Sequence, residues 1–476
     1  MLKFLMKFQK ILFIAAATEF GAYPPLGILS VAAYIREKGF EVGVIDYSGL
    51  KITKERIRKD ILRYNPDMVA IGVLTGPGLT RAIMVSDIAK ELNKNVVWGG
   101  PHPTILPHLT LSHSTIDAVI IGEGEYALEE YLAYLNGSNQ EPKGMGLKID
   151  GKIKITPAQD KFIDIDTKPM PSWELIKDID KYFPYSKHNY VLLEANRGCP
   201  YKCGFCHHAN EDVKSYGGKF RNMSAKRLLE QFDYVKTLTK KHISRMDIGG
   251  DMHLTNQSFT EQFVKELKDS GRHIGWHTVS RFDVMTEKMV DLIADAGCEG
   301  IMLGCESGSP RIQKMLGKTI SLEKAERITK KLRDKGIMVT VTYMMGHPDE
   351  TLEEINLTKK FMKEISADQN LLQIYRPFPG TPYFDLCLRE HKLQMPKSLK
   401  EYVTFGVLGH HANISKVPIS TLWKEFYKEN AYEQTRYFIN QQRFFLKRQM
   451  YDQFFDHFKN NKFTFKIKEF LTVSTR

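Results

Sequence analysis

The sequence predicts an α/β protein in which two successive parallel-sheet units are followed by a helical end. Three observations carry that prediction. Short apolar runs recur through residues 1–140, separated by amphipathic stretches. The same alternation resumes near residue 190 with longer helices, and there each apolar run closes on Gly, Pro or polar residues. Beyond residue 390 the alternation stops, and aromatics and cations take over at helical density. Strands that read as continuous apolar runs joined by helices belong to parallel sheets covered on both faces.

The apolar runs of the first unit are Ile11–Ala17, Glu41–Ile45, Met68–Val73, Asn95–Trp98 and Ala118–Ile121, with helices expected over Leu26–Lys38 and Leu79–Leu92. Five such units make a flavodoxin-like (Rossmann-like), doubly wound sheet over 1–140, whose ligands lie beyond the carboxyl ends of the strands. The charged and apolar start superficially resembles a signal peptide, but Ile11–Ala17 leads straight into the α/β pattern and reads as a first strand. Asp150 and Gly151 between β-rich arms predict a two-residue hairpin. Residues 141–188 therefore read as a hairpin and a linker, the latter containing Pro157, Pro169 and Pro171.

The second unit, 189–390, places strands at Tyr190–Ala195, Arg245–Ile248, Ile274–Val279, Gly300–Gly304, Met338–Met344 and Leu371–Tyr375. Six βα units with polar strand ends predict a partial (β/α)6 barrel with its chemistry at the carboxyl-terminal mouth. Thr351 followed three residues later by Glu354 is a capping box that starts a helix. Residues 391–476 read as helical, basic and aromatic.

The chain has 476 residues, of which 42% are hydrophobic and 26% charged, as in an ordinary globular protein. Six cysteines, none before Cys199, do not make a disulfide framework; a reducing, cytoplasmic setting is expected. No run of 18 apolar residues predicts a spanning helix. The net charge of +12 is concentrated at the end, where 16 Lys/Arg stand against 8 Asp/Glu from 389 to 476. There Tyr432, Arg436, Phe444, Phe445, Lys447, Arg448, Phe454, Phe455, Phe458 and Lys462 interleave rings with cations. Helices packing on the barrel are expected, with peripheral contact to a membrane surface or a lipid-like substrate as the sharper alternative.

The chemistry is concentrated between Arg197 and Cys206. Cys199, Cys203 and Cys206 have the spacing C-x3-C-x2-C, and no fourth cysteine is near. Three thiolates on one loop hold an inorganic centre and leave a coordination position open, whereas ferredoxin clusters and structural zinc sites close a four-ligand shell. Gly198, Pro200 and Gly204 supply the tight turns. The alternative is a zinc knuckle completed by His207 or His208. Cys298, Cys305 and Cys387 show no ligand spacing and are expected to be buried thiols.

This loop, with Phe205 just before the last cysteine, resembles the radical S-adenosylmethionine superfamily. The resemblance implies that Cys199, Cys203 and Cys206 hold three irons of a 4Fe-4S cluster whose fourth iron chelates S-adenosylmethionine. It places Phe205 beside the adenine. It puts Gly249, Gly250 and Asp251 (Asp where Glu is more usual) at the methionine amino group. Ser280, Arg281, Glu306 and Ser307 fall at the ribose and carboxylate, and the turn from Arg376 to Pro382 at the substrate mouth.

The amino-terminal unit resembles cobalamin-binding domains in Pro24–Ala33, Val97–Thr104 and Ile121–Glu125. That implies cobalamin contacts from Gly99, Gly100, His102, Gly122 and Glu123. The Asp-x-His-x-x-Gly loop that supplies a cobalt ligand in other such domains is missing, which leaves the lower ligand open.

The activity implied is reductive cleavage of S-adenosylmethionine to a 5′-deoxyadenosyl radical, with C-methylation of an unactivated carbon. The alternative is oxidation, cyclisation or rearrangement without methyl transfer, as in anaerobic porphyrin cyclases. A methylthiotransferase would carry a second cysteine triad ahead of the barrel, and residues 1–198 contain no cysteine. A non-catalytic binding module would not need the polar strand ends. The partners expected are a small or lipid-like substrate and a low-potential electron donor such as flavodoxin or ferredoxin, with no nucleic acid.

Overall fold

The computed structural model describes residues 7–17, 23–183, 189–209, 220–249, 252–318, 320–365, 367–390, 393–405 and 413–447. Strands β1 (Lys10–Ala15), β2 (Glu41–Asp46), β3 (Met68–Gly72), β4 (Asn95–Gly99) and β5 (Ala118–Ile120) are parallel and ordered 2-1-3-4-5. This is the doubly wound arrangement expected, with its switch point between β1 and β3. Ile11 and Phe13 face one buried layer while Leu12 and Ile14 face another, so both faces of the sheet are covered.

The hairpin is not a linker element. β6 (Met145–Ile149) and β7 (Lys152–Ile155) extend this sheet to seven strands, with Ala118 opposite Leu147 in antiparallel register. The physical reason is the edge. A three-residue β5 alone would leave its backbone groups unpaired, and the hairpin covers them. Gly151, with φ +76°, makes the turn.

β8 (Asn189–Glu194) opens the second sheet. A short antiparallel ribbon follows, β9 (Asn196–Arg197) with β10 (Arg221–Asn222), and its two strands bracket the cysteine loop. The sheet continues with β11 (Ile243–Gly249), β12 (Gly275–Arg281), β13 (Cys298–Glu306), β14 (Met338–Met345) and β15 (Gln369–Ile374). Its six strands are parallel and ordered 15-14-13-12-11-8.

One face of this sheet is buried under helices and the other is open. In β14, Val339, Val341, Tyr343 and Met345 are buried, while Thr340, Thr342 and Met344 are partly accessible. Register places Asp247 and His277 on the same accessible side, and Met302 there is 40% exposed. Covering helices fill one side of a partial barrel, and the concave inner side keeps room for ligands.

At its far edge, β15 is capped by the helix Ile419–Lys447. Asn430 donates to the Leu372 carbonyl (3.0 Å), and Glu433 accepts from the Asn370 backbone N–H (3.1 Å). Lys359 pairs with Glu425 on the same helix. This is the packing role expected of the carboxyl-terminal region. Tyr432 is exposed. The side chains of Arg436, Phe444, Phe445 and Lys447, and all of Arg448, Phe454, Phe455, Phe458 and Lys462, lie outside the described residues. No helix among the described residues is long and apolar enough to cross a membrane.

Candidate active site between the two sheets

The carboxyl ends of the two sheets face each other. After β4, Ile105 lies so close to Gly380, which follows β15, that a Cβ on that glycine would sit 2.6 Å from the Ile105 side chain. After β5, Glu123 and Glu125 reach Arg197, which follows β8. Both loop sets that the sequence marks as functional therefore border one interface.

The cysteine loop is built on tight turns. Gly198 has φ +76°, a conformation that favours glycine. The Cys206 N–H bonds the Cys203 carbonyl, and the Ala209 N–H bonds that of Cys206. A Cβ on Gly204 would meet the Tyr383 ring at 2.6 Å, so only glycine lets that ring lie against the loop. Tyr383 is buried and its hydroxyl has no hydrogen-bond partner among the described residues. All six cysteines are thiols; Cys203, Cys298, Cys305 and Cys387 are buried. No three His, Cys, Asp or Glu side chains among the described residues converge on a point for one metal ion. A cubane cluster does not ask for that, because each thiolate takes its own iron.

The side chains expected at S-adenosylmethionine make the following contacts within the protein. The Arg281 guanidinium grips Asp283 through Nε (2.9 Å) and Nη2 (2.7 Å). Through Nη1 it donates to Cys203 Sγ (2.9 Å), and it lies over the Tyr201 ring. Its carboxylate partner is thus Asp283, two residues on, and its other edge faces the Cys203 sulfur. Glu306, with φ +70°, accepts from buried Lys318 (2.8 Å). Ser280 donates to the Leu254 carbonyl (2.9 Å). Ser307 bonds Thr358 (3.1 Å) and accepts from the Ser309 N–H. These residues do stand at strand ends, but a polar strand end shows location, not direction. Phe205 packs against the buried cluster that contains Tyr375 and Tyr383. Gly249 ends β11 beside Glu194, and Gly250 and Asp251 lie outside the described residues.

On the other side of the interface, Gly100 (φ +99°) and Gly122 (φ +91°) turn the chain after β4 and β5. A Cβ on Gly100 would lie 3.0 Å from the Val73 carbonyl, so the backbone approaches closely there. Gly99 ends β4 and holds the Val73 N–H through its carbonyl. His102 is fully buried; Nδ1 bonds the Thr75 hydroxyl (2.9 Å), Nε2 has no partner among the described residues, and Tyr402 packs edge-on against the ring. Burial pushes His102 down to about 4, which keeps the imidazole neutral. Both oxygens of Glu123 accept from arginines, one from Arg197 (2.9 Å) and the other from Arg221.

The inner face of the barrel holds residues that the motif reading missed. Burial pushes the Asp247 carboxyl up to about 6. His277, Thr340 and Thr342 share that face. The signal was present in Met338–Met345, where apolar and polar residues alternate with the period of a half-buried strand.

The radical SAM superfamily model matches residues 193–362, and the B12 binding domain model matches 14–132. An uncharacterized methyltransferase of Pyrococcus horikoshii is 30% identical over 435 residues, covering 89% of this chain and 92% of the relative. The chain belongs to the radical SAM superfamily. Its cobalamin-binding branch is marked by the B12 binding domain ahead of the barrel. An anaerobic magnesium-protoporphyrin IX monomethyl ester cyclase of Rubrivivax gelatinosus is 26% identical over 76% of this chain and 66% of that protein. The fold matches that of the radical S-adenosylmethionine methyltransferase TsrM from Kitasatospora setae, solved with cobalamin and a [4Fe-4S] cluster. The TM-score is 0.69 at 15% identity, over 86% of this chain and 88% of that one.

This radical SAM protein is therefore an enzyme of a methyltransferase-like family, with a 4Fe-4S cluster, S-adenosylmethionine and cobalamin as the family's cofactors. Its residues fit them. The barrel side offers three thiols on a glycine-turned loop beside an open inner face. The amino-terminal side offers close-approaching glycine backbone and a neutral imidazole with an unengaged Nε2.

Proposed function

We propose that this enzyme is a cobalamin-dependent C-methyltransferase acting on an unactivated carbon of a small, partly polar molecule. The observation that carries the proposal is the facing of the two carboxyl edges, which puts the cysteine loop and the cobalamin-side loops on one interface. The near full-length similarity to a protein named as a methyltransferase supports it.

Cys199, Cys203 and Cys206 would hold the cluster, and Gly99, Gly100, His102 and Gly122 would border the cobalamin. When bound, these groups supply a 5′-deoxyadenosyl radical and a transferable methyl group. The chain's own part is orientation and exclusion of water. Arg281 donates to Cys203 and fixes the loop's charge environment. The inner face, with Asp247, His277, Thr340 and Thr342, offers hydrogen bonds to a substrate that enters the barrel. With Met302 and Met344 on the same face, that lining suits a substrate that has both polar and apolar parts. A low-potential electron donor would complete the reaction.

The test is anaerobic reconstitution with cobalamin and S-adenosylmethionine bearing a trideuterated methyl, incubated with extract of cells lacking the gene. The expected outcome is 5′-deoxyadenosine together with a product carrying the trideuteromethyl group. Cys203→Ala should lose the cluster absorbance and all deoxyadenosine. Deoxyadenosine formed with an unlabelled, oxidised or cyclised product would instead support the second reading, favoured by similarity to the porphyrin ester cyclase.

A further inference from the structure

The loop Gly122–Glu125 and the segment Glu194–Gly198 are joined by a partly buried charge cluster. Arg197 sits at its centre. Nη1 and Nη2 donate to Glu125 (3.1 and 2.6 Å), Nη1 also donates to Glu123 (2.9 Å), and Nε donates to Glu194 (2.7 Å). Glu194 in turn pairs with Lys168 and accepts from Ser30 (2.8 Å). Arg221 completes the set through Glu123. Three acids thus meet three bases, and the Glu125 and Lys168 side chains are each only 2% exposed.

The arrangement is directional. Arg197 and Arg221 lie opposite each other on the β9–β10 ribbon, an unfavourable juxtaposition of like charges. Glu123 spans both, one oxygen to each. It therefore clamps the two strands at the base of the cysteine loop from the neighbouring sheet. On one side of the clamp, Gly122 belongs to the cobalamin border. On the other, Arg197 is two residues from Cys199. A path of one peptide bond, one ion pair and two peptide bonds thus runs from Gly122 to the first cluster cysteine.

We propose that Arg197 and Glu123 are positioning residues that couple the two cofactor sites, so that occupancy of one is felt in the affinity of the other. The proposal rests on the cobalamin reading of the amino-terminal domain. A buried, fork-shaped arginine holding several carboxylates fixes geometry as well as charge. Displacement of the Gly122 turn by a bound macrocycle reaches Cys199 through this cluster, and by linkage the converse also holds.

The experiment measures hydroxocobalamin binding to the full-length protein, with and without the reconstituted cluster, by absorbance titration. In the wild type the two affinities should differ by about fivefold or more, the lower range of ordinary coupling. In Arg197→Gln, and independently in Glu123→Gln, that ratio should fall toward one. A merely structural role would lower thermal stability without abolishing the ratio. Equal wild-type affinities, or a ratio preserved in both variants, would overturn the coupling while leaving cobalamin binding intact. A wild type that binds no cobalamin in either form would overturn the cobalamin reading itself.

Discussion

Single residues at this interface are constrained by their immediate neighbours. Glu306 adopts φ +70°, and with Lys318 it arches over Gly304. A Cβ at Gly304 would fall 2.5 Å from Lys318 Nζ and against Glu306 Oε1. Gly304→Ala is therefore expected to displace a buried ion pair and destabilise the protein by about 1–3 kcal/mol, measured by urea unfolding. An unchanged midpoint would show that the pair has room to move. The three cysteines and Phe205 were legible as a motif because one short loop contains them all. The engagement of Arg281 by Asp283, of Glu306 by Lys318 and of Ser307 by Thr358 was not legible. Sequence gives the end of a strand, while side-chain direction depends on bulges such as the one between Gly304 and Glu306 in β13.

Among the elements, the helix Leu352–Glu364 shows how local sequence signals serve the site. Its capping box is formed in full, since Thr351 accepts from the Glu354 N–H and Glu354 accepts from the Thr351 N–H. Glu354 is also held by Arg311, which is the main reason its carboxyl is pulled down to about 2. The same helix carries Thr358, which braces Ser307 and Gly308 after β13. Thr351→Ala should cost about 1 kcal/mol in thermal or urea unfolding, and hydrogen exchange should quicken in the first turn. Uniform protection in the variant would argue that tertiary packing alone holds that end. Strand and helix positions in both sheets followed from hydrophobic patterning: the doubly covered strands of the first sheet are apolar on both faces, and strands of the second, such as Met338–Met345, keep an apolar buried face. The hairpin's destination did not, because a turn signal says that two strands pair with each other and nothing about which edge receives them.

The molecule as a whole is joined by charge as well as by apolar packing. Burial alone would raise the Glu194 carboxyl, but the Arg197 guanidinium and the Lys168 ammonium outweigh it and hold it at about 2. A carboxyl whose folded value lies below its unfolded 4.5 adds stability that is complete above that pH. That stability is lost as pH falls from about 4.5 toward about 2. Acid unfolding should accordingly steepen across that window, and Glu194→Gln should flatten it. A variant with the wild-type acid limb would place the acid sensitivity elsewhere.

The sequence by itself determined the two-sheet order, the barrel's six strands and the cysteine loop, since each is written in local spacing and periodicity. Only the tertiary structure decided that the two carboxyl edges meet, that Glu123 clamps the cysteine loop's base, and that Asp247 and His277 line the barrel's open face. The two ion pairs of Glu123 alone join residues 74 and 98 positions apart. Chain folding brings such residues together through burial and ion pairing, and no local pattern in the sequence records which distant charge will be the partner.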